Sequence, residues 1–356
     1  MRYPQFLKDN GRIGFIAPSF GCATEPYRSD FEESLKWFEE QGYETVLGPN
    51  CFCEEGIGIS NTPEKCAAEA NDFLTDDKSD VIISCGGGEL MCEILPFIDF
   101  EKISSSSPKW FMGYSDNTNL TFLLNTLTDT ASIYSVCASK FTNKHHRCVD
   151  NAFDILCGRR TSVSNYDVWF KDIYGEATED THNGRVGIYE NEKTGERLDV
   201  FDYKQFLFSG KKAVDGTSMS GRLIGGCMDC LVNLVGTRFD KTAEFADRYK
   251  SDGIIWFLES CDLSVMAIRR ALWQMENAGW FENVKGFLIG RPLRFDDKFG
   301  DFDHYDAVTG ILAKYNVPIL MDLDIGHQFP QMPIISGACA DITAEKNTLN
   351  INFSLS

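Results

Sequence analysis

Over the first 150 residues, short apolar runs alternate with amphipathic stretches, and their order predicts strand and helix in regular succession. "RIGFIAPS" at 12–19 predicts a buried strand ending in a Pro-Ser turn. "DFEESLKWFEEQG" predicts a helix with Asp30 as N-cap, Phe31, Leu35 and Phe38 on one face, and Gly42 past its end. "YETVLG" predicts a second strand, residues 63–75 a second helix, and "DVIISCGGG" at 80–88 a third strand running into glycines. A short helix to Leu95 and a strand "KWFMG" follow, after which Leu120, Leu123, Leu124 and Leu127 keep helical spacing. This β-α-β-α order implies an α/β fold, with a parallel sheet covered by helices on both faces. In such sheets, sites lie at the carboxyl ends of the strands.

Between 150 and 220 the pattern weakens into polar, turn-rich sequence, which reads as a connector with short strands. It recovers at "GRLIGGCMDCLVNLVGT", read as a glycine turn feeding a helix, and at "DGIIWFLES", an apolar strand ending in Glu259. "SVMAIRRALWQMENAGW" predicts a helix with Val265, Ile268, Leu272 and Met275 on one face and Gly279 as its stop. "VKGFLIGRP" and "VPILMDL" predict further strands, and "PIISGACADITAEKNTLNINF" a closing pair. The division that follows is an N-terminal α/β unit over 1–160, a connector over 161–215, and a smaller C-terminal mixed β unit with helices over 216–356.

Composition narrows the classes. Hydrophobic residues make up 43% and charged residues 24% of the chain, and no apolar run approaches the length needed to span a bilayer. A net charge of -19 argues against nucleic acid or an anionic membrane as partner. The first residues carry charges throughout and lack a signal-peptide core, so a cytoplasmic protein with reduced cysteines is expected from the thirteen scattered thiols.

Candidate chemistry starts at "GYSDN". A serine nucleophile needs a sharp strand-to-helix turn and a backbone N–H to receive the oxyanion, and Ser115 sits at such a junction. Asn117 stands where a G-x-S-x-G elbow has its second glycine, and Asn is the best other residue for a left-handed conformation. The alternative is that Ser115 and Asp116 only cap the helix. Of the five histidines, His145 and His146 lie in a charged stretch, His182 in the connector and His304 in a loop. His327 follows an apolar strand behind a glycine, which suits a base. Glu259, ending "GIIWFLE", is a carboxylate too costly to bury unless paired. "CGGGE" at 85–89 suits an oxyanion hole or anion cradle, with Cys85 as a rival nucleophile. "CMDC" at 227–230 has redox or zinc spacing but no second ligand pair, and reads as packing.

In this order and spacing, "IAPS", "IISCGGGE", "GYSDNTNL", "GRLIGGCMDCLVNLVGT", "WFLES" with "AIRRALWQM", "GFLIGRP" and "DIGHQFPQMPIISG" resemble the serine L,D-carboxypeptidases, a family that includes muramoyltetrapeptide carboxypeptidase and the microcin C self-immunity protein. The resemblance covers nearly the whole chain. It implies a Ser115–Glu259–His327 triad split between domains, and oxyanion donors at the backbone N–H groups of Asp116 and Gly87. Gly86, Gly88 and Glu89 would be substrate contacts, and no metal or cofactor is expected. It also implies a homodimer. Two departures touch the substrate pocket: Gly88 and Glu89 follow the double glycine, and "ASIYSVCASK" lacks a Gly-Pro element of the self-immunity branch. The expected activity is release of the terminal D-alanine from a cell-wall tetrapeptide. The alternatives are hydrolysis of a peptidyl or aminoacyl nucleotide, and a non-catalytic protein that holds a small anion.

Overall fold

A strand buried on both faces needs an unbroken apolar run, and the runs read that way lie at the centre of the first sheet. In the computed structural model the described residues are 1–142, 147–166, 168–171, 185–190, 197–202, 206–209, 212–213, 216–345 and 348–355. The first five strands are β1 (Arg12–Ile16), β2 (Glu44–Leu47), β3 (Val81–Ser84), β4 (Phe111–Gly113) and β5 (Ser132–Tyr134). Next come β6 (Ser162–Ser164), β7 (Val168–Lys171), β8 (Arg185–Glu190), β9 (Arg197–Asp202), β10 (Phe206–Ser209) and β11 (Lys212–Ala213). The rest are β12 (Thr217–Cys227), β13 (Ile254–Glu259), β14 (Val284–Gly290), β15 (Pro318–Leu323), β16 (Ile334–Ser336), β17 (Cys339–Glu345) and β18 (Thr348–Ser354). The helices are α1 (Tyr27–Glu40), α2 (Pro63–Thr75), α3 (Phe100–Ser105), α4 (Thr118–Thr128), α5 (Arg147–Leu156), α6 (Met228–Leu234), α7 (Thr242–Arg248), α8 (Val265–Asn277) and α9 (His304–Leu312).

The first sheet has the order β16-β5-β4-β3-β1-β2. Its strands are parallel except β16, which pairs antiparallel with β5. Alternation divides its faces. Ile13, Phe15, Val81 and Ile83 pack with Phe31 and Phe38 of α1 and with α5. Ile82 and Phe111 pack on the other side with α2, α3 and α4. The order of strands reverses between β1 and β3, the position where such sheets open a crevice.

The second sheet is mixed, with the order β11-β10-β15-β14-β13-β12-β17-β18-β6. Its parallel centre is β12 to β15. Trp256, Leu258, Phe287 and Ile289 face α6 to α9. Leu223, Ile255, Phe257 and Leu288 join the same core as β1 and α1, so apolar packing is continuous between the sheets. β7, β9 and β8 form a third, antiparallel sheet.

Several boundaries differ from the sequence reading. α1 begins at Tyr27 behind Pro26, whose ring presets a helical φ, so Asp30 falls inside the first turn. The glycines of "GRLIGGC" lie within β12. A Cβ on Gly225 would meet Phe257 O at 1.7 Å and one on Gly226 would meet the Thr118 side chain at 2.6 Å, so these glycines permit close approach to β13 and α4. His304 is the first residue of α9 behind the N-cap Asp303, where its Nε2 lies 3.1 Å from the Asp322 carboxylate. His145, His146 and His182 lie outside the described residues.

Candidate active site

β4 delivers the chain to the site as a buried strand, and Tyr114 continues it in extended conformation. Ser115 then takes φ +62, a left-handed conformation that a residue with a Cβ adopts only under constraint. The constraint is visible. Asn117 Nδ2 donates to Gly86 O at 2.8 Å and to Tyr114 O at 3.1 Å. Ser115 N–H donates to the Tyr134 hydroxyl at 3.3 Å. Asn117 itself has φ -63, so its part is not the left-handed turn expected of it. Its amide instead ties the serine turn to the glycine segment.

Neither Ser115 nor Asp116 caps α4. The N-cap is Asn117, without a side-chain capping bond. The buried Asp116 carboxylate accepts from Ser19 Oγ at 2.6 Å and from Met91 N–H at 2.9 Å, which holds the loops after β1 and β3 against the turn.

Ser115 Oγ lies 2.8 Å from His327 Nε2. His327 Nδ1 lies 2.8 Å from Glu259 Oε2. Glu259, fully buried at the end of β13, accepts a second bond at Oε1 from the Tyr134 hydroxyl at 2.6 Å. His327 follows β15 through Gly326, whose φ of +102 lets the loop cross Glu259; a Cβ there would sit 2.3 Å from Glu259 Oε2. The ring of Tyr114 lies 5.2 Å from that of His327. Strand ends of both sheets thus bring Ser115, Glu259 and His327 into one hydrogen-bonded line.

Charge follows this geometry. Burial pushes Glu259 up, but the His327 charge and hydrogen bonds from His327, Tyr134 and Cys227 outweigh it and hold the carboxyl below its ordinary value. Burial also disfavours the imidazolium, yet Glu259, aided by Cys261, keeps His327 well above its ordinary value. The pair therefore favours ionised Glu259 beside a readily protonated His327.

The glycine segment passes beside the serine. A Cβ on Gly87 would be 3.3 Å from Ser115 Cβ and 3.4 Å from its Oγ. Gly87 O accepts from Phe20 N–H at 2.7 Å, whereas the N–H groups of Gly87 and Asp116 donate to no described residue. Gly86 is pinned through its carbonyl by Asn117, and Gly88 packs on Ser19. Glu89 is exposed, with its N–H bonded to Gly58 O at 3.1 Å. All four residues from Gly86 to Glu89, with Ser115 and His327, line a cleft of about 500 Å³.

Cys85 is fully buried beside Cys22 and Cys51, and burial pushes its thiol well up, which leaves it protonated and away from the cleft. None of the thirteen cysteines is in a disulfide. Sequence reasoning missed four residues. Tyr134 ends the strand next to β4, a position that the strand-end rule already marks. Cys227 and Cys230 are placed against the site instead of in remote packing: Cys230 Sγ lies 3.6 Å from Ser115 O, and Cys227 bonds Glu259. Cys261 touches His327. Among the described residues, Cys227, Glu259 and His327 are one set with metal-type ligand atoms within 4.8 Å, but Glu259 and His327 are already bonded to each other. No helix among the described residues is long and apolar enough to cross a membrane.

Comparison with known proteins matches the chain to both halves of one family. The LD-carboxypeptidase N-terminal domain model covers residues 13–135 and the LD-carboxypeptidase C-terminal domain model residues 220–342. A Vibrio cholerae protein named as a carboxypeptidase is 24% identical over 99% of this chain and 98% of its own. The microcin C7 self-immunity protein MccF of Escherichia coli is 22% identical over 95% of this chain and 92% of its own. Among solved structures, an MccF-like protein from Bacillus anthracis superposes with TM-score 0.79 at 19% identity, covering 99% of this chain and 100% of that one. MccF in complex with aspartyl sulfamoyl adenosine gives 0.73 at 19% identity, over 99% and 98%.

Proposed function

The chain belongs to the LD-carboxypeptidase family, and from that premise we propose that it is a serine hydrolase in which Ser115, His327 and Glu259 form the triad and the substrate is a cell-wall tetrapeptide that loses its terminal D-alanine. The observation that carries this reading is the unbroken line from Ser115 Oγ to His327 and on to Glu259, with 2.8 Å at each step. His327 Nε2 takes the Ser115 proton as Oγ attacks the scissile carbonyl, and it returns that proton to the leaving amine. The N–H groups of Gly87 and Asp116, beside Oγ and without partners among the described residues, receive the tetrahedral oxyanion. Water then releases the acyl group by the same base. In this reading the nucleophile belongs to an N-terminal unit over 1–160, and Glu259 and His327 to a unit over 216–356. The protein acts in the cytoplasm, where thirteen thiols outside any disulfide stay reduced, and pairs as a homodimer, which light scattering checks.

A second substrate is favoured by one observation. MccF is known bound to aspartyl sulfamoyl adenosine, and the cleft rim here exposes Phe20 and Tyr27, on which a nucleobase would stack. Incubating the protein side by side with purified muropeptides and a peptidyl nucleotide, with mass analysis of products, separates the two. Release of D-alanine from tetrapeptide at the higher kcat/KM is the expected outcome; preference for the nucleotide would move the assignment to the second class.

The charge balance sets a pH profile. The base must be neutral to accept the serine proton, and Glu259 raises the pKa of His327, so kcat/KM rises with pH through an ionisation above the ordinary histidine value of 6.5. An inflection below that value would contradict the pairing.

Tyr134 is a positioning residue, since its hydroxyl accepts from Ser115 N–H and donates to Glu259. Tyr134→Phe leaves the ring in the core and removes both bonds. It is expected to lower kcat about tenfold, the lower end of what a hydrogen bond to a charged group supplies, and to move the pH inflection upward, because Glu259 loses a donor that competes for its charge. A fall in kcat with an unmoved inflection would mean that the bond to Glu259 does not matter.

A further inference from the structure

The cleft beside Ser115 is lined by Glu54 and Glu89 and, among the described residues, by a single lysine or arginine, Lys140. Lys140 ends a short 3-10 turn, Ala138–Lys140, just beyond β5. The turn is fixed to the wall that carries the nucleophile. Ser139 N–H donates to Cys85 O at the foot of the glycine segment at 3.4 Å, and the Cys137 thiol lies 3.7 Å from the Asn117 amide. Lys140 is half-buried; its backbone N–H donates to Cys137 O at 3.1 Å, while among the described residues its ammonium has no hydrogen-bond or ion-pair partner. Asp30, whose carboxyl burial pushes up and the Lys140 charge pulls back, senses it from beyond ion-pair distance. Ser139, next to it in the cleft lining, is 5% exposed, and its hydroxyl bonds no described residue.

A half-buried ammonium that has lost part of its hydration is stabilised when an anion reaches it. A protein of net charge -19 otherwise repels anions at long range. In a carboxypeptidase the terminal carboxylate lies within one residue of the bond that breaks, about 3.8 Å of chain, so its receptor must line the same cleft as the nucleophile. We propose that Lys140, with the Ser139 hydroxyl, receives the free terminal carboxylate of the substrate and thereby confines cleavage to the last residue. This assignment rests on the serine-hydrolase reading given above. Glu54 and Glu89 sharpen the selection, because a carboxylate placed elsewhere in the cleft meets like charge.

The test uses a pair of peptidyl phosphonates, identical except that one ends in a carboxylate and the other in a neutral carboxamide. The second-order rate of Ser115 labelling is read for the parent, K140M and K140R, each checked for folding by thermal melting. The parent is expected to react about 10- to 100-fold faster with the carboxylate probe, the range that a hydrogen bond to a charged group supplies. K140M is expected to bring that ratio to about one, and K140R to restore most of it. If K140M melts early, K140Q is read by the same ratio. A ratio in the folded variant equal to that of the parent overturns the proposal. A parent protein labelled by neither probe is a different result: it overturns the serine-nucleophile reading, and this assignment falls with it.

Discussion

A Ser115→Ala protein is expected to lose at least about 10,000-fold in kcat on a tetrapeptide substrate while melting within a few degrees of the parent. The size follows from what Oγ does. It is the only atom of the turn bonded to His327 Nε2, at 2.8 Å, and without it the covalent step has no nucleophile. In the proposed mechanism the residual rate would come from the backbone donors of Gly87 and Asp116 and from binding. Stability changes little, because the bonds that hold the turn do not involve Oγ: Asn117 to Gly86 O and Tyr114 O, and Ser115 N–H to Tyr134. Alanine at φ +62 is as strained as serine. Steady-state kinetics and a thermal melt check both halves, and a variant that keeps a tenth of parental turnover would remove Ser115 from the chemistry.

Glu259→Gln is expected to lower kcat/KM by about 1,000- to 10,000-fold with little change of shape. Both carboxylate oxygens are acceptors, Oε1 for the Tyr134 hydroxyl and Oε2 for His327 Nδ1. An amide supplies one acceptor and one donor. With its oxygen on Tyr134, its NH₂ faces Nδ1 and makes that nitrogen the acceptor, which places the imidazole proton on Nε2, toward Ser115. Such a histidine cannot take the serine proton. The loss of charge also lets the pKa of His327 fall, so the residual activity should titrate at lower pH than in the parent. A fall in rate with the inflection unmoved would mean that Glu259 acts only through orientation.

The parts of this protein that were legible in the sequence are those governed by local pattern. "RIGFI", "VIIS" and "IIWFLE" are apolar without interruption because both their faces are buried, and they form β1, β3 and β13. The positions of Ser115, Glu259 and His327 were readable because each ends or follows a strand, and a parallel sheet sends its carboxyl ends to one edge. Features set by distant contacts were not readable. The glycines of β12 look like a turn until Phe257 and Thr118 are brought within reach. β16 joins the first sheet from residue 334, and no local signal distinguishes it from a partner of β17. The left-handed residue of the elbow is Ser115, not Asn117, because the Asn117 amide finds Gly86 O across the site. Tyr134 and the cysteines at 227, 230 and 261 carry ordinary core chemistry in the sequence, and only the meeting of the two sheets gives them Glu259, Ser115 and His327 as neighbours. Lys140 is one of many charged residues by composition; the cleft singles it out.

The measurement that tests the central claim most directly is product analysis by mass spectrometry after incubation of purified muropeptide tetrapeptide with the parent protein and with Ser115→Ala. The account predicts that the parent converts tetrapeptide to tripeptide and free D-alanine, while the variant leaves the peptide whole over the same time. Equal conversion by the two proteins, or an intact tetrapeptide with both, would contradict it.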